Sequence, residues 1–311
     1  MSPAPIILFV YNRLDHTQQV VTALQNNLLS KESELHIYSD APANDMATVK
    51  VKELRAYLPG ITGFKKVHIH LRDTNLGVDA NIIRGVTEVI NRYGKAIVLE
   101  DDILTSPWFL KYMNDALDFY KDNDEVASIH GYTYPIKGLK EVFFLKGADC
   151  WGWATWKRAW DLFEPDGKTL LDQLSYSGLQ KEFDFEGTYP YCEALEDQAT
   201  GKTTCWDIRW YASAFLLNKL TLYPGTSLVD NIGHDGSGVH CGENDDYKVD
   251  LAHEAIDVRT EVRPDDQGYQ AFAGFLRQIG TNTDTRQKSW LSRSFKVLKN
   301  KITNHKASKL Q

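Results

Sequence analysis

The chain has 311 residues, 42% hydrophobic and 25% charged, an ordinary globular composition with enough apolar material for a substantial core. No apolar run reaches 18 residues, which excludes a membrane-spanning helix, and Cys150, Cys192, Cys205 and Cys241 lack the CxxC spacing of a zinc site or disulfide framework, which fits a reducing compartment. The formal charge of −7 is uneven: residues 286–311 carry eight Lys/Arg and no Asp/Glu, so the acidic body before them is a poor nucleic-acid binder.

The first half alternates two kinds of segment. Residues 5–11 (PIILFVY) form a continuous apolar run with no basic flank, which reads as a first strand rather than a signal peptide. Residues 17–29 have helical spacing, 34–38 a strand, 48–58 a helix, and 66–71 (KVHIHL) an alternating strand. Residues 79–93 place Ile82, Ile83, Val86, Val89 and Ile90 on one helical side, and 95–99 is a buried strand running into Glu100-Asp101-Asp102. A helix over 106–120 and a strand over 126–130 follow.

Apolar strands alternating with helices predict a mostly parallel sheet, whose ligands bind beyond the carboxyl ends of the strands. The polar clusters fall there: Asn12-Arg13, Ser39-Asp40, residues 73–75, and Glu100-Asp101-Asp102. The second half is less regular. It has a tryptophan-dense stretch, CWGWATWKRAW (150–160), a helix over 206–217, short strands over 220–223 and 227–229, a glycine-rich loop over 231–244, and a helix over 265–279. One continuous domain, 1–285, is expected, with a regular half, 1–135, and a less regular half, 136–285. The tail 286–311 spaces Trp290, Leu291, Phe295, Leu298 and Ile302 among basic residues, a pattern that suits an amphipathic helix on an anionic membrane and equally a solvated terminus.

Three acids closing a buried strand are chemically distinctive. Hard divalent cations such as Mg2+ or Mn2+ take oxygen ligands, commonly one or two carboxylates plus substrate phosphates. With this motif, PIILFVYNR, HIYSDAP, NLGVDANIIRG and the WGW segment, the chain resembles a GT-A-fold glycosyltransferase of the bacterial family 2 type. Its motif order is similar to that of the N-acetylglucosaminyltransferase I group. The resemblance covers most of residues 4–245 and thins after Asp246.

The resemblance implies an α/β GT-A fold, Rossmann-like, with a mostly parallel central sheet, flanking helices and a less regular acceptor-side half. It implies a UDP-sugar donor, a divalent metal held by Asp102, and an inverting displacement. Asp101 and Glu100 would face the donor ribose or sugar, Arg13 the diphosphate or uracil, and Asp40 the uracil. Asn75 and Asn81 would lie near a helix N-terminus that suits phosphate. Trp151 or Trp153 would wall the sugar or acceptor site, with the other tryptophans of that stretch in the core. Asp207 in CWDIRW matches the catalytic base, with Glu196 and Asp197 as competitors and helix capping or an Arg209 pair as the plainer roles. His240 is a further metal candidate, ahead of His234. The implied partners are a nucleotide-sugar and a glycan or lipid-linked saccharide acceptor, at the cytoplasmic face of a bacterial membrane. A sugar-phosphate nucleotidyltransferase is the first rival, but YNRLDHTQQ lacks the glycine-rich loop it needs; a non-catalytic nucleotide- or glycan-binding module is the second.

Overall fold

The computed structural model describes residues 2–236 and 245–280. His240 and the basic tail fall outside them.

The first half is four strands joined by three helices: β1 (Ile6–Val10), α1 (Leu14–Gln25), β2 (Glu34–Ser39), α2 (Asp45–Tyr57), β3 (Lys66–Leu71), α3 (Gly77–Tyr93) and β4 (Lys95–Glu100). The strands lie parallel in the order β3-β2-β1-β4, with Ile6 paired to Leu35 on one side and Ile97 on the other. All five residues of β1 are buried, because helices cover both of its faces, which is why its sequence shows no alternation. The edge strand β3 does alternate: Ile69 and Leu71 are exposed while His68 and His70 turn inward.

The chain continues through β5 (Ile103–Thr105), α4 (Phe109–Phe119), β6 (Val126–His130), β7 (Val142–Lys146), β8 (Trp153–Trp156) and α5 (Lys157–Trp160). Then come α6 (Gly167–Ser177), α7 (Gln180–Phe183), α8 (Tyr191–Ala199), α9 (Trp206–Leu216), β9 (Leu220–Pro224) and β10 (Val229–Asn231), followed by a helix over 266–280. Strands β6, β7, β8 and β9 extend the same sheet to eight, in the order β3-β2-β1-β4-β8-β6-β9-β7, while β5 and β10 pair as a separate ribbon. The tryptophan-rich segment supplies β8, which runs antiparallel between β4 and β6. The sheet is therefore mixed, with β8 and β7 antiparallel to neighbours that otherwise run together.

Helices α1, α2 and α4 pack on one face through Val20, Leu24, Leu54, Phe109 and Met113. On the other face α3 and α9 meet through Ile82, Val86, Ile90, Trp206 and Trp210. Gly85 lets α3 sit close to β1: a methyl there would stand 2.7 Å from the Phe9 ring. A third cluster, around Phe183, Leu195, Tyr211 and Phe272, packs α6–α9 and helix 266–280 beyond β7. Among the described residues no helix is long and apolar enough to cross a membrane.

Candidate active site at the carboxyl edge of the sheet

The exits of β1 and β4 meet. The Arg13 guanidinium, just beyond β1, donates to both carboxylates after β4: to Asp101, and to Asp102 across 2.9 Å. Asp101 is buried and also faces the Tyr11 amide at 3.4 Å. Burial opposes the Arg13 charge, but Asp101 and Asp102 outweigh it and raise its pKa. Burial, partly offset by Arg13, raises the Asp101 carboxyl.

Glu100 shows how acidic this edge is. Desolvation first, then the charges of Asp102, Asp207 and Asp101, push its carboxyl well above the ordinary range, with only Arg13 opposing. Asp207 thus arrives from α9, more than a hundred residues later, close enough to act on the β4 exit.

Asp207 lies in the first turn of α9, but Cys205 occupies the cap position. Arg209 does not pair with it either; it binds Asp79 on α3 at 2.6 Å. The Asp207 carboxylate instead accepts the Cys205 thiol at 2.6 Å and faces the Cys150 thiol at 3.4 Å. Burial and that carboxylate raise both thiols, keeping them protonated donors. The competing acids lie elsewhere: Glu196 is exposed on α8, and Asp197 pairs with Lys202.

The nucleotide-side candidates form a braced loop. Asp40 is buried after β2, and its two oxygens accept from the amides of Ala41, Leu76 and Gly77 and from the Asn75 side chain. Its carboxylate therefore holds the N-terminus of α3, where the helix dipole favours negative charge. Asn75 also donates to the Ala41 carbonyl at 2.6 Å, and buried Asn81 accepts from Arg72 at 3.0 Å.

The two tryptophans separate. Trp153 is 1% exposed and packs among Trp160, Trp206 and Trp210, so it is core. Trp156 and Trp160 are buried too, which leaves Trp151 as the partly exposed one. Its ring meets Tyr132 at 4.7 Å, His234 at 5.4 Å and Tyr247 at 5.7 Å.

The β5–β10 ribbon carries a loop back over the acidic edge. The Ile232 amide donates to the Asp102 carbonyl at 2.9 Å, and a methyl on Gly233 would stand 2.3 Å from the Asp102 carboxylate. His234 follows, stacked on Tyr247; burial lowers its pKa while Asp102 pulls the other way. Among the described residues neither of its ring nitrogens has a hydrogen-bond partner. The sequence ranks His234 behind His240 as a metal candidate, and its approach to Asp102 becomes visible only with the β5–β10 ribbon.

Asp149 was also missed. It sits before Cys150, 3.6 Å from buried His130, and its charge reaches the buried hydroxyls of Tyr134, Tyr191, Tyr211 and Tyr223. These tyrosines come from four separate segments, so only the fold assembles the cup.

A divalent ion suits the charge of the acidic edge: one arginine faces four carboxyl groups there, all oxygen ligands. The acids do not form a complete cage. Among the described residues only Glu34, His36 and His68 bring three potential metal-ligand atoms, one carboxylate oxygen and two imidazole nitrogens, within 4.8 Å of one another. Surface depressions of about 380 and 330 Å3 lie elsewhere, beside α4 and α5, and touch none of these residues.

No family model matches the chain, and a comparison with curated proteins finds no match. Among solved structures it is similar to a protein described as a nucleotide-diphospho-sugar transferase from Desulfovibrio desulfuricans G20, at 14% identity and TM-score 0.34, over 53% of this chain and 68% of that one. It is similar to the mannosyltransferase PcManGT from Pyrobaculum calidifontis, in complex with GDP-Man and Mn2+, at 10% identity and TM-score 0.36, over 70% of each chain. It is also similar to S. aureus TarS, at 12% identity and TM-score 0.40, over 72% of this chain but only 36% of that one. These likenesses are too distant to assign any residue here.

Proposed function

We propose that the chain is a metal-dependent glycosyltransferase that moves a sugar from a nucleotide diphosphate donor, a UDP-sugar, to an acceptor hydroxyl with inversion. The observation that carries this reading is the convergence of Asp207 with Glu100, Asp101 and Asp102 at the carboxyl edge of a largely parallel sheet. Asp102 would hold Mn2+ or Mg2+, which would supply charge neutralisation for the departing diphosphate, and Asp101 would face the donor ribose or sugar.

This chain's own groups do the rest. Arg13, already poised between Asp101 and Asp102, offers its guanidinium to the diphosphate. Asp40, Asn75 and Asn81 brace the α3 N-terminus on the nucleotide side. Glu100 borders the donor sugar. Trp151, walled by Tyr132 and Tyr247, offers an indole face to the sugar or acceptor. Asp207 removes the acceptor proton as its oxygen attacks the anomeric carbon opposite the leaving group, and the Cys150 and Cys205 thiols fix its rotamer. Family resemblance and the basic tail add the setting: a glycan or lipid-linked acceptor in bacterial polysaccharide assembly at the cytoplasmic membrane face.

Thermal unfolding with a panel of nucleotide-sugars, with and without MnCl2, tests the reading. The expected result is a stabilising shift with UDP-sugars only when manganese is present, and release of UDP rather than pyrophosphate during turnover. No shift with any nucleotide-sugar would overturn it.

A further inference from the structure

We propose a second, separate metal site on this chain, a zinc clip formed by Glu34, His36 and His68 between β2 and the edge strand β3. The register builds it: Glu34 stands opposite Lys66, and His36 opposite His68, so alternate residues of both strands share one face. The rings of His36 and His68 stack at 4.3 Å, and His68 Nε2 lies 3.0 Å from the Glu34 carboxylate. Zinc ligands 2.0–2.1 Å from a tetrahedral ion stand about 3.4 Å apart, so ligand atoms within 4.8 Å close on an ion by moving inward while the two stacked rings tilt toward it.

The second observation is His36 itself. Its side chain is 2% exposed, and among the described residues its Nε2 has no hydrogen-bond partner, a costly state for a buried polar atom. Its Nδ1 lies 3.2 Å from His70 Nε2, and a proton donated there leaves Nε2 as a lone pair. Burial, with His68 and His70 nearby, lowers His36 to about 4, so its ring is neutral at pH 7. The hydrogen bond from His68, aided by Tyr93 and Lys65, lowers Glu34 to about 2, so it is anionic.

The outer contacts resemble those that orient metal ligands. Tyr93 donates to Glu34 at 3.0 Å, and His70 Nε2 meets His36 Nδ1 at 3.2 Å, which orients the His36 ring. Glu34 and His68 remain partly exposed, at 23% and 16%, which gives an ion a way in. Two imidazoles and one carboxylate favour zinc over the hard cations suited to the acidic edge, with water as the fourth ligand. The sites are distinct: His36 is level with Val98 two strands away, about 10 Å at the strand spacing, and Asp102 lies four residues further along the chain.

Zinc chloride titrated into the metal-stripped full chain, followed by calorimetry and elemental analysis, tests the clip. Wild type and Asp102→Asn are each expected to bind one zinc here and to unfold at a higher temperature with it. His68→Gln and Glu34→Gln are each expected to lose at least about tenfold in affinity while keeping the wild-type circular dichroism spectrum. These two positions carry the test because His36 is buried and its replacement disturbs packing. Full affinity in either variant, loss of this zinc in Asp102→Asn, or no zinc on the folded wild type would overturn the proposal.

Discussion

Arg209 on α9 reaches Asp79 at the start of α3 and pairs with it at 2.6 Å, with both side chains mostly shielded from water. The pair joins the first half of the chain to the helix that carries Asp207. Removing one partner of a shielded pair leaves the other uncompensated, at a cost of about 3 kcal/mol. Arg209→Ala should therefore lower the urea midpoint strongly, and Asp79→Asn should do the same. The double variant should lose much less than the sum of the singles. Additive losses would mean that the two charges do not act together.

The tryptophans make opposite predictions. Trp153→Ala empties a site between Trp160, Trp206 and Trp210 and should cost about 3–5 kcal/mol. Trp151→Ala removes a partly exposed ring and should cost much less stability, while raising KM for the acceptor. Chemical denaturation gives the first comparison and steady-state kinetics the second. A stability loss for Trp151→Ala equal to that of Trp153→Ala would place Trp151 in the core as well.

How far these residues were legible depended on the period of their surroundings. Strands β1, β2, β3 and β4 announce themselves because each is five or six residues long and bounded by polar exits. Strand β8 is four residues, too short to show a period, and both of its faces are buried, so its tryptophans read as a cluster rather than a strand. The short β5 was missed for the same reason, and with it the ribbon that lays Gly233 and His234 over Asp102. The acids of the β4 exit are adjacent in sequence and could be read directly. Asp149 and its tyrosines, or Glu34 with His68, are joined only by tertiary pairing, which no single segment reveals.

Stability should fall toward acid pH, and His130 contributes to that fall. Its ring is fully buried beside Tyr132 and Tyr223, and burial lowers its pKa below the ordinary 6.5 despite Asp149. Below about pH 6.5 the unfolded chain gains a proton that the folded chain refuses. The contribution is therefore present above that pH and lost as pH falls, with a slope of at most about 1.4 kcal/mol per pH unit. His36 acts in the same direction between 6.5 and about 4. Urea unfolding at pH 7, 6 and 5 should show a shallower decline for His130→Gln than for wild type; parallel declines would refute the assignment.

Asp207 supplies the sharpest test of the chemistry, because its proposed role is confined to the acceptor proton. Asparagine keeps the shape and still accepts one of the two thiols through its amide oxygen, but it cannot take a proton. Asp207→Asn should lower kcat by about a hundred- to ten-thousand-fold while leaving the manganese-dependent thermal shift with donor intact. Cys205→Ala removes the 2.6 Å contact that steadies the carboxylate without removing the base, so its loss should be far smaller. Asp102→Asn should instead abolish the donor shift itself, since it strikes the metal and diphosphate side. If Asp207→Asn turned over at the wild-type rate, the base would have to be sought among the other carboxylates of this edge, beginning with Glu100, whose carboxyl is raised by burial first and by the charges of Asp102, Asp207 and Asp101 second.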